Sequence, residues 1–149
     1  MENHEESKEW IKRELMVAEE KDILLHALEL VKEHVKSYIR LTNEGHIHLL
    51  PSARKLERQW QVYLYFVGKA YGYVAELFDE DYVRNKELET NLKSPSGEGL
   101  PSGTIRYSLK TLRDRGWIIQ LSSGVHKLDY SKLNEAFKVI VKEGNDRRE

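Results

Sequence analysis

The sequence predicts a mainly helical protein with one small β-hairpin: a long N-terminal helix leading into a compact C-terminal unit. Three observations point there. From Glu6 to Leu41 no proline or glycine interrupts a helix-forming run. Ile105, Leu109 and Leu112 recur at i, i+4 and i+7 ahead of Gly116, as in an amphipathic helix that ends on a glycine. Trp117-Ile118-Ile119-Gln120-Leu121 then turns to β-branched and aromatic composition, and Ser122-Ser123-Gly124 supplies a turn into Val125-His126-Lys127-Leu128.

In the first helix Leu24, Leu28, Val31, Val35, Tyr38 and Ile39 keep helical spacing, and Trp10, Ile11 and Leu15 extend an apolar stripe toward its start. Asn43-Glu44-Gly45 marks its end, and His46 to Pro51 reads as an extended connector. Ser52 is the expected cap of a second long helix running to about Phe78. Trp60, Tyr63, Tyr65, Phe66, Tyr71 and Tyr73 crowd that helix beyond what one face can hold. Its outer side therefore needs a cover. Residues 6–42 could supply it within the chain as a helical hairpin, or the two segments together could form a homodimer interface.

Asp79-Glu80-Asp81 sets like charges at the unfavourable end of a helix dipole and predicts a break. Tyr82-Val83 then suits a short strand, and Arg84 to Leu92 a short helix with Leu88 and Leu92 on one side. Ser94-Pro95-Ser96-Gly97-Glu98-Gly99-Leu100-Pro101-Ser102 is a glycine- and proline-bearing loop, with Ser102 placed to cap the next helix. After the hairpin, Asp129 or Ser131 can cap a last helix, in which Leu133, Phe137 and Ile140 share a stripe and Gly144 is the stop. Residues 144–149 are expected to be a disordered tail.

Helix, turn, helix and hairpin in this order resemble the winged helix-turn-helix DNA-binding domains of archaeal and bacterial transcriptional regulators. The likeness rests on Asn85-Lys86-Glu87-Leu88, Gly103-Thr104-Ile105-Arg106-Tyr107 and Leu112-Arg113-Asp114-Arg115-Gly116-Trp117-Ile118, within roughly residues 55–130. It divides the chain into an N-terminal extension over 1–52, a candidate dimerisation element, a winged helix domain over 53–143 and the tail. The loop from Ser94 to Ser102 departs from the pattern, whose turn is typically three to four residues. The resemblance implies that Thr104, Arg106, Tyr107, Ser108, Lys110 and Thr111 enter the major groove of double-stranded DNA, with Arg113 nearby. It also implies that His126 or Lys127 approaches phosphates from the wing, and that two copies pair through the N-terminal helices.

Net charge is −1, but it is unevenly spread. Residues 1–83 hold 11 Lys and Arg against 16 Asp and Glu, whereas residues 84–149 hold 13 against 9, so the halves carry −5 and +4. The basic half contains the segment that would meet phosphates. No cysteine is present, which excludes disulfides and thiolate zinc sites. Met1 to Glu6 is acidic and no apolar run approaches the roughly 20 residues of a membrane span, so a cytoplasmic protein is expected.

His46 and His48 project to one side of an extended segment, but no third metal ligand accompanies them, and His26 and His34 read as helix-surface residues. Gly97-Glu98-Gly99 lacks the Gly-Lys-Ser/Thr ending of a phosphate loop. No nucleophile–base or paired-carboxylate pattern stands out, so neither enzyme activity nor a cofactor or metal is expected. The alternative reading is a winged helix used as a protein-interaction module, an adaptor subunit without DNA binding.

Overall fold

In the computed structural model, residues 6–10, 20–93 and 97–146 are described. Ile11, Leu15, Ser94-Pro95-Ser96 and Arg147 to Glu149, all named above, fall outside them. The protein is mainly helical with two small antiparallel sheets. Among the described residues no helix is long and apolar enough to cross a membrane.

Residues 6–10 are helical, and helix α1 spans Glu20–Val35. It ends well before Leu41 because the chain turns at Val35, where the Ser37 and Tyr38 N–H groups bond back to the His34 and Val35 carbonyls. Ile39–Leu41 forms strand β1, paired with β2, Ile47–Leu49, in the register Ile39↔Leu49 and Leu41↔Ile47. The expected connector is thus half of a hairpin. Its turn is closed by the Gly45 N–H on the Thr42 carbonyl at 3.0 Å, with Gly45 at φ +86°.

The predicted second helix is two helices, α2 at Pro51–Arg54 and α3 at Arg58–Val74. Ser52 is not a cap: it lies inside α2 and its hydroxyl donates to the Ser37 carbonyl. The break falls where Glu57 is extended and its N–H is taken by the Glu143 carboxylate at 2.9 Å. α3 stops at Val74 in a Schellman turn. The Leu77 N–H bonds to the Gly72 carbonyl at 2.8 Å and the Glu76 N–H to the Tyr73 carbonyl at 3.1 Å, with Glu76 at φ +64° where glycine is usual.

Every residue from Trp60 to Ala70 is buried, which answers the aromatic crowding of α3. α1, the β1–β2 hairpin and the helix over Ser102–Asp114 pack around it. Gly68 and Gly72, one turn apart, let the β1–β2 hairpin and the segment after α3 come close: a Cβ would lie 2.5 Å from Ile47 at Gly68 and 2.2 Å from the Phe78 ring at Gly72. α1 buries Leu24, Leu28, Val31 and Val35, and packs on the last helix as well as on α3. Each such side chain contributes roughly 1.5–3 kcal/mol of apolar burial. Residues 60–70 are therefore covered within the chain, whereas Leu77 stays exposed. What α1 still exposes is Ile23, Leu25 and Leu30.

Strand β3, Val83–Arg84, leads directly into α4, Asn85–Asn91. Helix α5 spans Ser102–Asp114, and strands β4, Ile118–Ser122, and β5, Val125–Leu128, follow. The three strands order as β3-β5-β4, all antiparallel, with Val83 opposite His126 and Ile118 opposite Leu128. Ser102 is the first residue of α5 rather than its cap: Pro101 precedes the helix and no side chain caps it. Asp129 does cap, its Oδ1 accepting from the Ser131 N–H at 3.1 Å ahead of a 3-10 turn, Tyr130–Lys132. The last helix, α6, runs Leu133–Asp146 straight through Gly144, so the expected stop is wrong. There a Cβ would come 3.3 Å from the Tyr38 hydroxyl, and glycine serves close packing instead.

Candidate nucleic-acid interface

α5 is fixed from its apolar side. Ile105, Leu109 and Leu112 are fully buried against α3 and α4, and the helix stands directly before the β4–β5 hairpin. At about 100° per residue this leaves Arg106, Tyr107 and Lys110 outward. All three are exposed, Tyr107 to 73%. Lys110 Nζ lies 3.1 Å from Asp114 Oδ2, a surface pair worth about 0–1 kcal/mol that a phosphate could replace. Thr104 and Thr111 are half-buried at the margins of this face.

Two expected contacts lie inside the protein. Ser108 is buried because it falls within the Ile105–Leu109–Leu112 stripe, not opposite it. His126 is 1% exposed, since alternation along β5 sends it to the same side as the buried Leu128. Neither can touch DNA from where it stands. Periodicity could have placed these two: Ser108 is three after Ile105, and His126 is two before Leu128.

Arg113, half-buried, ties α5 to the hairpin through its NH1, 2.9 Å from His126 Nε2. A guanidinium only donates, so Nε2 is the acceptor and the ring proton sits on Nδ1, which is buried and finds no hydrogen-bond partner. Arg113 is thereby a brace rather than a free reader. Lys127 is also engaged, its Nζ 4.0 Å from Asp81 Oδ2 and 4.9 Å from the centre of the Tyr130 ring. Among the described residues, the basic side chains of this region with neither an acidic partner nor the bond to His126 are Arg106 and, at the helix end, the exposed Arg115.

Burial, and then the Arg113 charge, hold the His126 imidazole below its ordinary value of 6.5. The unfolded chain consequently binds a proton that the folded protein refuses. Stability is complete above about pH 6.5, falls as the pH drops toward the folded value and levels off below it. We expect His126→Gln to remove this part of the acid slope, as followed by urea midpoints at neutral and mildly acidic pH; a variant as acid-sensitive as the parent would contradict it.

Between α3 and α4 lies a largely buried polar cluster that sequence reasoning missed. Glu87 Oε2 on α4 accepts from the Tyr65 hydroxyl at 2.7 Å and from Lys69 Nζ at 3.0 Å, and Asn91 Nδ2 donates to the Tyr65 oxygen at 3.2 Å. Burial first, and then the bond to Glu87, push the Tyr65 phenol far above its usual range. One lysine amid the apolar run of α3 was the available signal. His46 and His48 share a side of β2 with ring centres 6.4 Å apart, and no group of three metal-ligating side chains occurs among the described residues.

Compared with protein-family models, curated proteins and solved structures, the chain matches none.

Proposed function

We propose that the protein is a DNA-binding transcriptional regulator of the winged helix-turn-helix kind, with α5 as the helix that enters the major groove. The observation that carries this reading is the outward set Arg106, Tyr107 and Lys110 on a helix whose other side is locked into the core. The β3-β5-β4 order supports it, because the β4–β5 hairpin that follows α5 is where such a wing would lie. Arg106 and Lys110 supply charge, Tyr107 and Thr111 hydrogen bonding and apolar contact, and the Arg113–His126 brace holds helix and wing together. A two-fold pair is part of the proposal, and α1 would join it through its exposed Ile23, Leu25 and Leu30.

The test is fluorescence anisotropy on a random duplex at 50 and 200 mM salt, with the parent beside Arg106→Ala/Lys110→Ala. Arg113 is left in place, since its loss would also unbrace the wing. The parent should bind and weaken steeply with salt, while the double variant should bind more weakly with a salt slope shallower by about two. Absence of parent binding at 50 mM salt sinks this reading. The exposed Ile119 and Leu121 on the hairpin would then favour the adaptor reading, in which a protein partner covers them.

A further inference from the structure

β2, the start of α3 and the end of α4 enclose a cleft of about 630 Å³, a size usual for small-molecule sites. Its charge is one-sided. Arg54, Arg58 and Lys93 line it, and no carboxylate partner stands beside any of them among the described residues. Glu87 is the one acid in the lining, and Lys69 already neutralises it at 3.0 Å. Ile47, Phe78 and Leu92 provide apolar wall.

The Arg58 guanidinium is held in place. Gln61, 7% exposed, is anchored by its Nε2 on the Arg54 and Leu56 carbonyls at 3.1 and 2.9 Å, and its Oε1 accepts from Arg58 NH1 at 3.0 Å. One of five guanidinium donors is thus spent on orientation, and among the described residues the other four find no protein acceptor. Arg58 also opens the 17-residue helix α3, whose dipole adds positive potential at this end.

We infer that this cleft binds a small organic anion, a carboxylate or phosphate ester on an apolar body, with Arg58 and Arg54 gripping the anionic group and Ile47, Phe78 and Leu92 covering the rest. A planar fork matches both anions bidentately. Gln61 acts as the positioning residue. The site is separate from the exposed face of α5, so its test stands whatever the DNA measurement gives.

The experiment titrates the full chain with phenyl phosphate, benzoate and the neutral benzyl alcohol, read by two-dimensional amide NMR. Expected are saturable shifts at Ile47, Leu49, Arg58, Gln61 and Asn91 with at least one anion and none with the alcohol; which anion binds more tightly tells phosphate from carboxylate. Arg58→Gln and Arg54→Gln should each weaken binding about tenfold with an otherwise unchanged spectrum. Lys138→Gln, on the exposed face of α6, should leave it unchanged. Arg58→Lys keeps the charge without the fork and should lie between. Lack of saturable shifts with either anion, shifts confined to other surfaces, or affinity unaltered in both arginine variants would overturn the inference.

Discussion

Glu87→Ala will cost the fold about 3–5 kcal/mol, among the largest single losses expected for this chain. The side chains of Lys69 and Glu87 are only 8% and 19% exposed, so removing the carboxylate leaves an ammonium in a nearly dry site. The Phe78 ring, whose centre lies 4.5 Å from Lys69 Nζ, offers a cation–π contact of roughly 0.5–2 kcal/mol and cannot compensate. The Tyr65 hydroxyl loses its acceptor in the same step. Lys69→Met combined with Glu87→Leu should recover much of the loss, because the stranded charge goes with its partner. Urea unfolding of the two single variants and the double gives the coupling; a cost below about 1 kcal/mol for Glu87→Ala would show that Lys69 reaches water.

Phe137→Ala should be comparably damaging, at about 3–5 kcal/mol. The ring is fully buried in α6, 6.3 Å from the Tyr38 ring and 6.4 Å from that of His34, and it sits where α6 meets α1. The result separates two views of the N-terminal helix. If α1 belongs to the common core, amide exchange in α1 and α3 accelerates together in the variant. Were α1 a detachable arm, exchange would rise in α1 alone and the main urea transition would hardly move.

The C-terminal unit was readable because local and global preferences agree there. Ile105, Leu109 and Leu112 set the buried side of α5, Gly116 takes the left-handed conformation at φ +79°, and the hairpin turns at Gly124. The N-terminal half was less readable because tertiary pairing overrides spacing. Tyr38 and Ile39 continue the helical period of α1, yet Ile39 lies in a strand whose partner, β2, is a three-residue segment with no propensity signal of its own. Lys55-Leu56-Glu57 contains no helix breaker, and what divides α2 from α3 there is a carboxylate from residue 143. At the candidate interface periodicity set Tyr107 and Lys110 opposite the buried stripe and Arg106 at its flank, and the exposure of all three agrees with it. The engagement of Arg113 and Lys127 did not, because an exposed cation and one braced across a sheet look alike in sequence.

The strand order β3-β5-β4 and the contact of α1 with α6 also govern when this protein can fold. β3 waits for a partner some forty residues later, and α1, second only to residues 6–10 among the described helical segments, meets α6, the last of them. During synthesis the early helices leave the ribosome with their apolar stripes uncovered until the final helix emerges. Closing so long a loop makes core formation a late, concerted event, and a nascent chain halted before Leu133 would present the apolar side of α1 as a surface for chaperones rather than as the wall of a finished core.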